Sequence, residues 1–179
     1  MTRKSYPAGR SGPQRRKRVS EYGRQLMEKQ KLRFFYGLKE KQLSRYVKRI
    51  SGHSFQEDAT QLLIQMLESR LDNVIYRMGF ADSLGQARQL VVHGHFLING
   101  KKVDRPSYRL KPSEIITVKP KSKTMILFQK VEAQSKKKEA SIWLRIDLKK
   151  LEGEILRWPT LEEVNPPADI PTIFEFYSR

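Results

Sequence analysis

The feature that most constrains this chain is a change in the spacing of its apolar residues at Gly94. Before it, apolar side chains recur every three or four positions, as one face of a helix requires. Leu32, Phe35, Tyr36, Leu43, Tyr46, Val47 and Ile50 follow that step, as do Leu62, Leu63, Met66 and Leu67. Ser20 is placed to cap the first helix, and Gly37 to break or bend it. Ser54 with Glu57 forms a capping-box pair ahead of the next stretch. Leu71, Val74, Ile75 and Met78 predict a further helix closed by a left-handed Gly79. Ser83 and Gln86, ahead of Ala87, Leu90 and Val91, predict one that stops at Gly94. After Gly94 the pattern is extended. His95–Ile98 and Lys101–Val103 flank Asn99-Gly100, two residues that tolerate positive φ and so suit a type I′ hairpin turn.

Further strand candidates are Tyr108–Leu110, Ile115–Val118, Ile142–Leu148 with its alternating Ile142, Leu144, Ile146 and Leu148, and a segment near Ile155–Trp158. Residues 119–141 read as a partly ordered, lysine-rich connection around an apolar island at Met125–Phe128. Pro166, Pro167 and Pro171 mark an irregular crossing. Ile173–Tyr177 is too short for periodicity to separate helix from strand. The resulting class is α+β, helices first and then a small, mainly antiparallel sheet.

Charge narrows the function. The chain has 36 Lys or Arg against 19 Asp or Glu in 179 residues, a net charge of +17. Residues 1–50 hold sixteen of those cations against three Glu, so about +13 of the charge sits there. Such a chain repels itself unless an anion neutralises it, and phosphate is the expected partner. Residues 1–19, with Pro7, Gly9, Gly12 and Pro13 among Arg10, Arg15, Arg16, Lys17 and Arg18, read as a basic extended arm without a core. The same acid-free composition also suits an organellar transit peptide, although the prolines and glycines oppose a targeting helix.

Several function classes are set aside. The chain has no cysteine, so a disulfide scaffold, a thiolate zinc site and a cysteine nucleophile are all absent. It has three histidines, no glycine-rich phosphate loop and no Ser elbow, which leaves no nucleophile and base constellation, and no enzyme is expected. Glu162 and Glu163 read as a solvated patch. No apolar run reaches the roughly 20 residues of a bilayer span. The expectation is a soluble, cytoplasmic protein with no cofactor and no metal, bound to no membrane and forming no homo-oligomer.

Candidate RNA ligands follow from chemistry. Cations meet phosphate, planar groups meet exposed bases, and amides reach sugar hydroxyls. The arm supplies Arg10, Arg15, Arg16, Lys17 and Arg18. The first helices supply Tyr22, Lys29, Lys31, Arg33, Lys41 and Arg45, the alternative for these cations being a merely solvated face. The middle of the chain supplies Arg70, Asn73, Arg77, Gln86, Arg88 and Gln89, with Arg88 the foremost. The hairpin region supplies His93, His95, Lys101, Lys102 and Arg105. For the histidines, a structural role and a His-x-His metal site are the alternatives. Tyr22, Tyr36 and Tyr108 are candidates for base stacking or for the core.

Arg70-Leu71-Asp72-Asn73-Val74-Ile75-Tyr76-Arg77-Met78-Gly79-Phe80-Ala81, then Gln86–Val91 and His93–Val103, resemble the S4 RNA-binding domain. Ser20-Glu21-Tyr22-Gly23, Glu28–Arg33, Tyr36-Gly37, Glu40-Lys41-Gln42 and the terminal Phe176-Tyr177-Ser178-Arg179 further resemble the family of the fourth small-subunit ribosomal protein. That resemblance implies a helical domain at 20–68 completed by 159–179, with an RNA-binding domain inserted at 69–158 whose core spans 70–120. It implies that Ile173–Tyr177 is a helix packed back on the first domain. It also implies binding to a multi-helix junction of small-subunit rRNA early in assembly, beside the fifth small-subunit protein and near the messenger RNA entry channel, with a part in decoding accuracy, on a cytoplasmic or organellar ribosome. The chain departs from the family pattern at Ser11, where histidine is usual, at Leu84, usually arginine, and at Ser113, usually glycine. Many members carry a longer segment, with a zinc-binding cysteine cluster or a metal-free replacement, ahead of the counterpart of Pro7-Ala8-Gly9-Arg10-Ser11-Gly12, and the resemblance implies a short form without the cysteine segment. The competing readings are an RNA-modifying enzyme or RNA chaperone that uses the same domain, and a basic membrane-surface protein.

Overall fold

A computed structural model describes residues 19–50, 56–128, 131 and 141–178. The arm cations Arg10, Arg15, Arg16, Lys17 and Arg18 and the Ser54 capping pair lie outside the described residues. Helices α1 (Glu21–Phe35), α2 (Glu40–Ile50) and α3 (Gln56–Glu68) come first, then α4 (Leu71–Arg77) and α5 (Leu84–Val92). Strands β1 (Phe96–Ile98), β2 (Lys101–Lys102) and β3 (Ile115–Val118) lead to a turn of helix, α6 (Pro120–Lys123). Strands β4 (Leu144–Asp147) and β5 (Glu152–Ile155) precede α7 (Leu161–Val164) and α8 (Ile170–Tyr177).

Two cores form. Leu32, Tyr36, Leu43, Val47, Ile50, Leu63, Ile64 and Leu67 bury together with Val164, Ile170 and Ile173, so the end of the chain returns to the first three helices. The closing segment is the helix α8, which packs along α1. Its Tyr177 hydroxyl donates to Glu40 at 2.7 Å and Gln25 donates to Glu175 at 3.2 Å. The second core gathers Leu71, Val74, Ile75, Met78, Phe80, Phe96, Ile116, Phe128, Trp143 and Ile155 between α4, α5 and a five-stranded antiparallel sheet of order β2-β1-β3-β5-β4.

Local chemistry explains most of these elements. Ser20 caps α1 by accepting from Gly23 N at 3.2 Å, and Gly37 at φ 57° lets the chain bend between α1 and α2. Asn99 at φ 47° and Gly100 at φ 78° make the hairpin turn. Ser113 has φ 67°, the left-handed conformation that glycine adopts without strain at this turn.

Four expectations are corrected. Ser83 caps α5, but the Gln86 side chain accepts from Asp82 N at 2.6 Å instead of from Ser83, so the box is not reciprocal. Tyr108–Leu110 makes no strand; Arg109 forms a single bridge to Arg70, because the adjacent loop is tied instead to the start of α4. The last strand falls earlier than Ile155–Trp158, at Glu152–Ile155. Its Gly153 lies so close to Met78 that a Cβ there would sit 2.4 Å from the sulfur, so the Met78 thioether packs on the strand where a side chain is missing. Glu163 is no free acid: it closes a reciprocal capping box with Thr160 and pairs with Arg157. The Arg157 guanidinium and the Thr160 N–H lower its carboxyl to about 2.

Candidate nucleic-acid interface

On α2 the buried residues Leu43, Val47 and Ile50 define one face. Lys41, Arg45 and Lys48 fall on the opposite face at steps of four and three, and all are exposed. Among the described residues these three cations have no acid within ion-pair distance. An unpaired row on a rigid helix is suited to run along a phosphate backbone. Lys48 and Arg49, which also is exposed, were not among the sequence candidates; the helical spacing from Lys41 was the signal that finds them.

The candidates on α1 behave differently. Lys29 is buried, pairs with Glu40 at 2.9 Å and lies 4.7 Å from the Phe176 ring, tying α1 to α2 and α8. Bonds from Tyr177 and Lys29 outweigh partial burial and lower the Glu40 carboxyl. Lys31 pairs with Glu28 at 2.5 Å. The Arg33 guanidinium lies over the Phe34 ring at 4.6 Å. Tyr22 is half exposed beside Phe176, at 5.6 Å between ring centres, and is the tyrosine best placed to offer a free face. Tyr36 is core, with its hydroxyl on Glu68 at 2.8 Å, and Tyr108 donates to Glu114 at 3.2 Å.

The junction between α3 and α4 holds two buried carboxylates, Glu68 at 0% and Asp72 at 1% exposure. Asp72 takes Arg70 bidentately, Nε at 3.0 Å and Nη2 at 2.8 Å, and also takes Arg88 Nε at 3.1 Å and Nη2 at 2.9 Å. Arg70 reaches the Tyr46 hydroxyl on α2 at 2.8 Å, and Arg88 reaches the Gly37 carbonyl at 2.9 Å. Glu68 collects Tyr36, Asn73 at 2.5 Å and Arg77 at 2.8 Å. Burial works against charge on Arg70 and Arg77, yet the carboxylates prevail and raise both above the usual guanidinium value. Burial and the Glu68 charge push the Tyr36 hydroxyl well above its usual range. The network thus bonds the bend after α1 (Tyr36 and Gly37), Tyr46 of α2 and Glu68 of α3 to residues of α4 and α5. It fixes how the two cores sit against each other.

Of the middle candidates, then, Arg70 and Asn73 are buried at 2% and 3% exposure and their polar groups face other protein groups. Arg77 and Arg88 are partly exposed but committed to Glu68 and Asp72. Gln86 caps the Asp82 N–H, while Gln89 stands exposed on α5. His93, Lys101, Lys102 and Arg105 are also exposed. His95 bonds Ser122 through Nδ1 at 2.9 Å, and burial, then His93 and Lys119, lower its pKa. Among the described residues no group of three histidines or acids is placed to hold a metal ion, and no helix is long and apolar enough to cross a membrane.

The arrangement is therefore two cationic displays, one on α2 and one along the hairpin, joined by a buried network. A family model described as the S4 domain matches residues 69–116, and one described as the ribosomal protein S4/S9 N-terminal domain matches residues 1–68. The chain is 46% identical over 178 residues to a protein of Thermotoga petrophila named small ribosomal subunit protein uS4, covering 99% of this chain and 84% of that one. Proteins of the same name from Aquifex aeolicus and Roseiflexus castenholzii are 42% and 41% identical, each over 100% of this chain and 86% and 87% of their own lengths.

Proposed function

The chain belongs to the ribosomal protein S4 family, and from that premise we propose that it grips a folded rRNA junction through two cationic surfaces held at a fixed mutual angle. Its role is that of a structural, rRNA-binding constituent of the small ribosomal subunit. The observation that carries the finer reading is the division of its cations. Lys41, Arg45 and Lys48 on α2, and Lys101, Lys102 and Arg105 by the hairpin, are exposed and free of acids among the described residues. Phosphate contacts of this kind supply affinity, and the rigid angle between the two displays supplies the match to a particular RNA shape.

In this reading 20–68 with 159–179 is one RNA-binding unit and 69–158 the other, with the arm at 1–19 threading between RNA helices. Arg10, Arg15, Arg16, Lys17 and Arg18 then add phosphate contacts. Tyr22, Lys31, Arg33, Gln89 and His93 add further RNA contacts. Arg70, Asn73, Arg77, Arg88 and Lys29 act through the scaffold, as does His95, and Gln86 acts as a cap. Neighbouring small-subunit proteins, the fifth among them, and messenger RNA at its entry channel are the further partners that the family resemblance suggests. The protein is expected to act as a single copy without catalysis.

Sedimentation tests this reading. Lysate fractions washed in high salt should retain the protein on small subunits. Its recovery only as free protein would refute the assignment. An RNA chaperone or modifying enzyme predicts that second result.

A further inference from the structure

Between α2 and the loop before β3 lies a cavity of about 260 Å3, which shares Arg45 with the cation row of α2 and adds Arg49 and Arg109 to it. Arg45 and Arg49 reach it from α2 and Arg109 from the loop. Buried Arg70 and half-buried Tyr46 close its inner side, and Gln42 and Ser107 complete it. The placement of Arg109 is dictated by backbone bonds. Leu71 N donates to Tyr108 O at 2.9 Å, Asp72 N to Pro106 O at 3.2 Å, and Leu110 N to Ser69 O at 2.9 Å, so the loop is stitched to the start of α4.

Beside Arg70, which Asp72 already neutralises, the guanidinium groups of Arg45, Arg49 and Arg109 face one small space and repel one another unless an anion enters. Among the described residues no acid lines the cavity. Asp72, the carboxylate bonded to Arg70, already serves Arg88 as well. Arg45, Arg49 and Arg109 have no side-chain partner among the described residues. Gln42 accepts from Lys39 N at 3.0 Å through its carbonyl, which leaves its amide nitrogen as a donor. Ser107 offers an exposed hydroxyl. The volume is below the roughly 300–1,000 Å3 of pockets that engulf a small molecule. It suits a phosphate group with part of its sugar.

We propose that this cavity takes one phosphodiester of the bound RNA, held by Arg49 and Arg109 from opposite sides, with its ribose hydroxyl against Ser107 and Gln42. This rests on the rRNA-binding reading and adds a specific anchor to it: a strand is pinned where it passes from the first core to the second. Guanidinium forks suit a phosphate because they donate two parallel bonds to its oxygens.

The test uses the full chain and a small-subunit rRNA fragment. R49A/R109A should weaken binding about tenfold at fixed salt. It should also flatten the fall of log affinity with log salt by about 0.7–0.9, one phosphate contact. R49K/R109K should keep the wild-type slope while binding less tightly, because lysine retains the charge and loses the fork. A neutral methylphosphonate at one RNA position should weaken the wild type and leave R49A/R109A unaffected. The unfolding midpoint should not move in either variant, since both arginines are exposed.

Wild-type affinity and slope in R49A/R109A, with the wild type itself selecting rRNA over heparin, would overturn the pocket and leave the rRNA-binding reading intact. A wild type with no such selectivity would instead overturn that reading and the pocket with it. Inorganic phosphate titrated at constant ionic strength should compete with the rRNA fragment for the wild type and not for R49A/R109A. Saturable phosphate binding that R49A/R109A abolishes, with rRNA affinity untouched, would assign the cavity to free phosphate and not to RNA.

Discussion

The exposed face of α2 and the junction of α3 with α4 are both rich in cations, and they use them in opposite ways. On α2, Lys41, Arg45 and Lys48 stand in water without counter-ions among the described residues. At the junction, Arg70, Arg77 and Arg88 converge on Glu68 and Asp72, both essentially buried. The difference teaches that burial, more than residue type, decides what a cation does in a basic protein. A buried guanidinium must be paired, and the partner it finds then fixes geometry. An exposed one stays available to an external polyanion.

Asp72→Ala should break this contrast most strongly. It leaves Arg70 buried without its carboxylate and frees Arg88, so a loss of about 3–5 kcal/mol is expected in urea denaturation. A loss under 1 kcal/mol would mean the junction is not the clasp described above. Arg88→Ala comes next. Its side chain is 36% exposed, and it gives up bonds to Asp72 and Gly37, so about 1–2 kcal/mol should go. Its rRNA affinity should fall while the salt slope stays near that of the wild type, because a clasp and not a phosphate contact is lost. A slope reduced by a full contact would return Arg88 to the RNA surface.

The smallest effect belongs to Glu163, a surface acid paired with Arg157. Its carboxyl drops from 4.5 to about 2 on folding, so the folded state binds its proton less readily. The stabilisation is complete above pH 4.5 and is lost as pH falls through about 2. The unfolding midpoints of wild type and Glu163→Gln should therefore differ at pH 6 and converge towards pH 2. A gap that widens on acidification would contradict this.

What the sequence revealed and what it withheld follow the same division. The cation row at Lys41 and Arg45 was visible because α2 is regular and its apolar residues mark the opposite face. The helix starts at Ser20 and Ser83, the stop at Gly94 and the turn at Asn99-Gly100 were visible because each depends on neighbours in the chain. The engagement of Arg88 with Asp72 was hidden, since its partner lies 16 residues away and meets it only after folding. Lys29 and Glu40 meet across the bend at Gly37, which no local spacing encodes. Strand β5 was displaced in the reading because Glu152-Gly153-Glu154 resembles a turn until Met78 is packed on it. Arg49 and Arg109 become neighbours only through the loop stitched to α4.

The central claim, that the free cations of α2 bind RNA while the paired ones hold the frame, is tested most directly by one salt titration. Affinity of K41A/R45A/K48A for a small-subunit rRNA fragment is followed from low to high salt beside that of the wild type. The slope of log affinity against log salt should shrink by about 2.1–2.7, three contacts at about 0.7–0.9 each, with the unfolding free energy within about 0.5 kcal/mol of the wild type. An unchanged slope, or a collapse in stability, would contradict it.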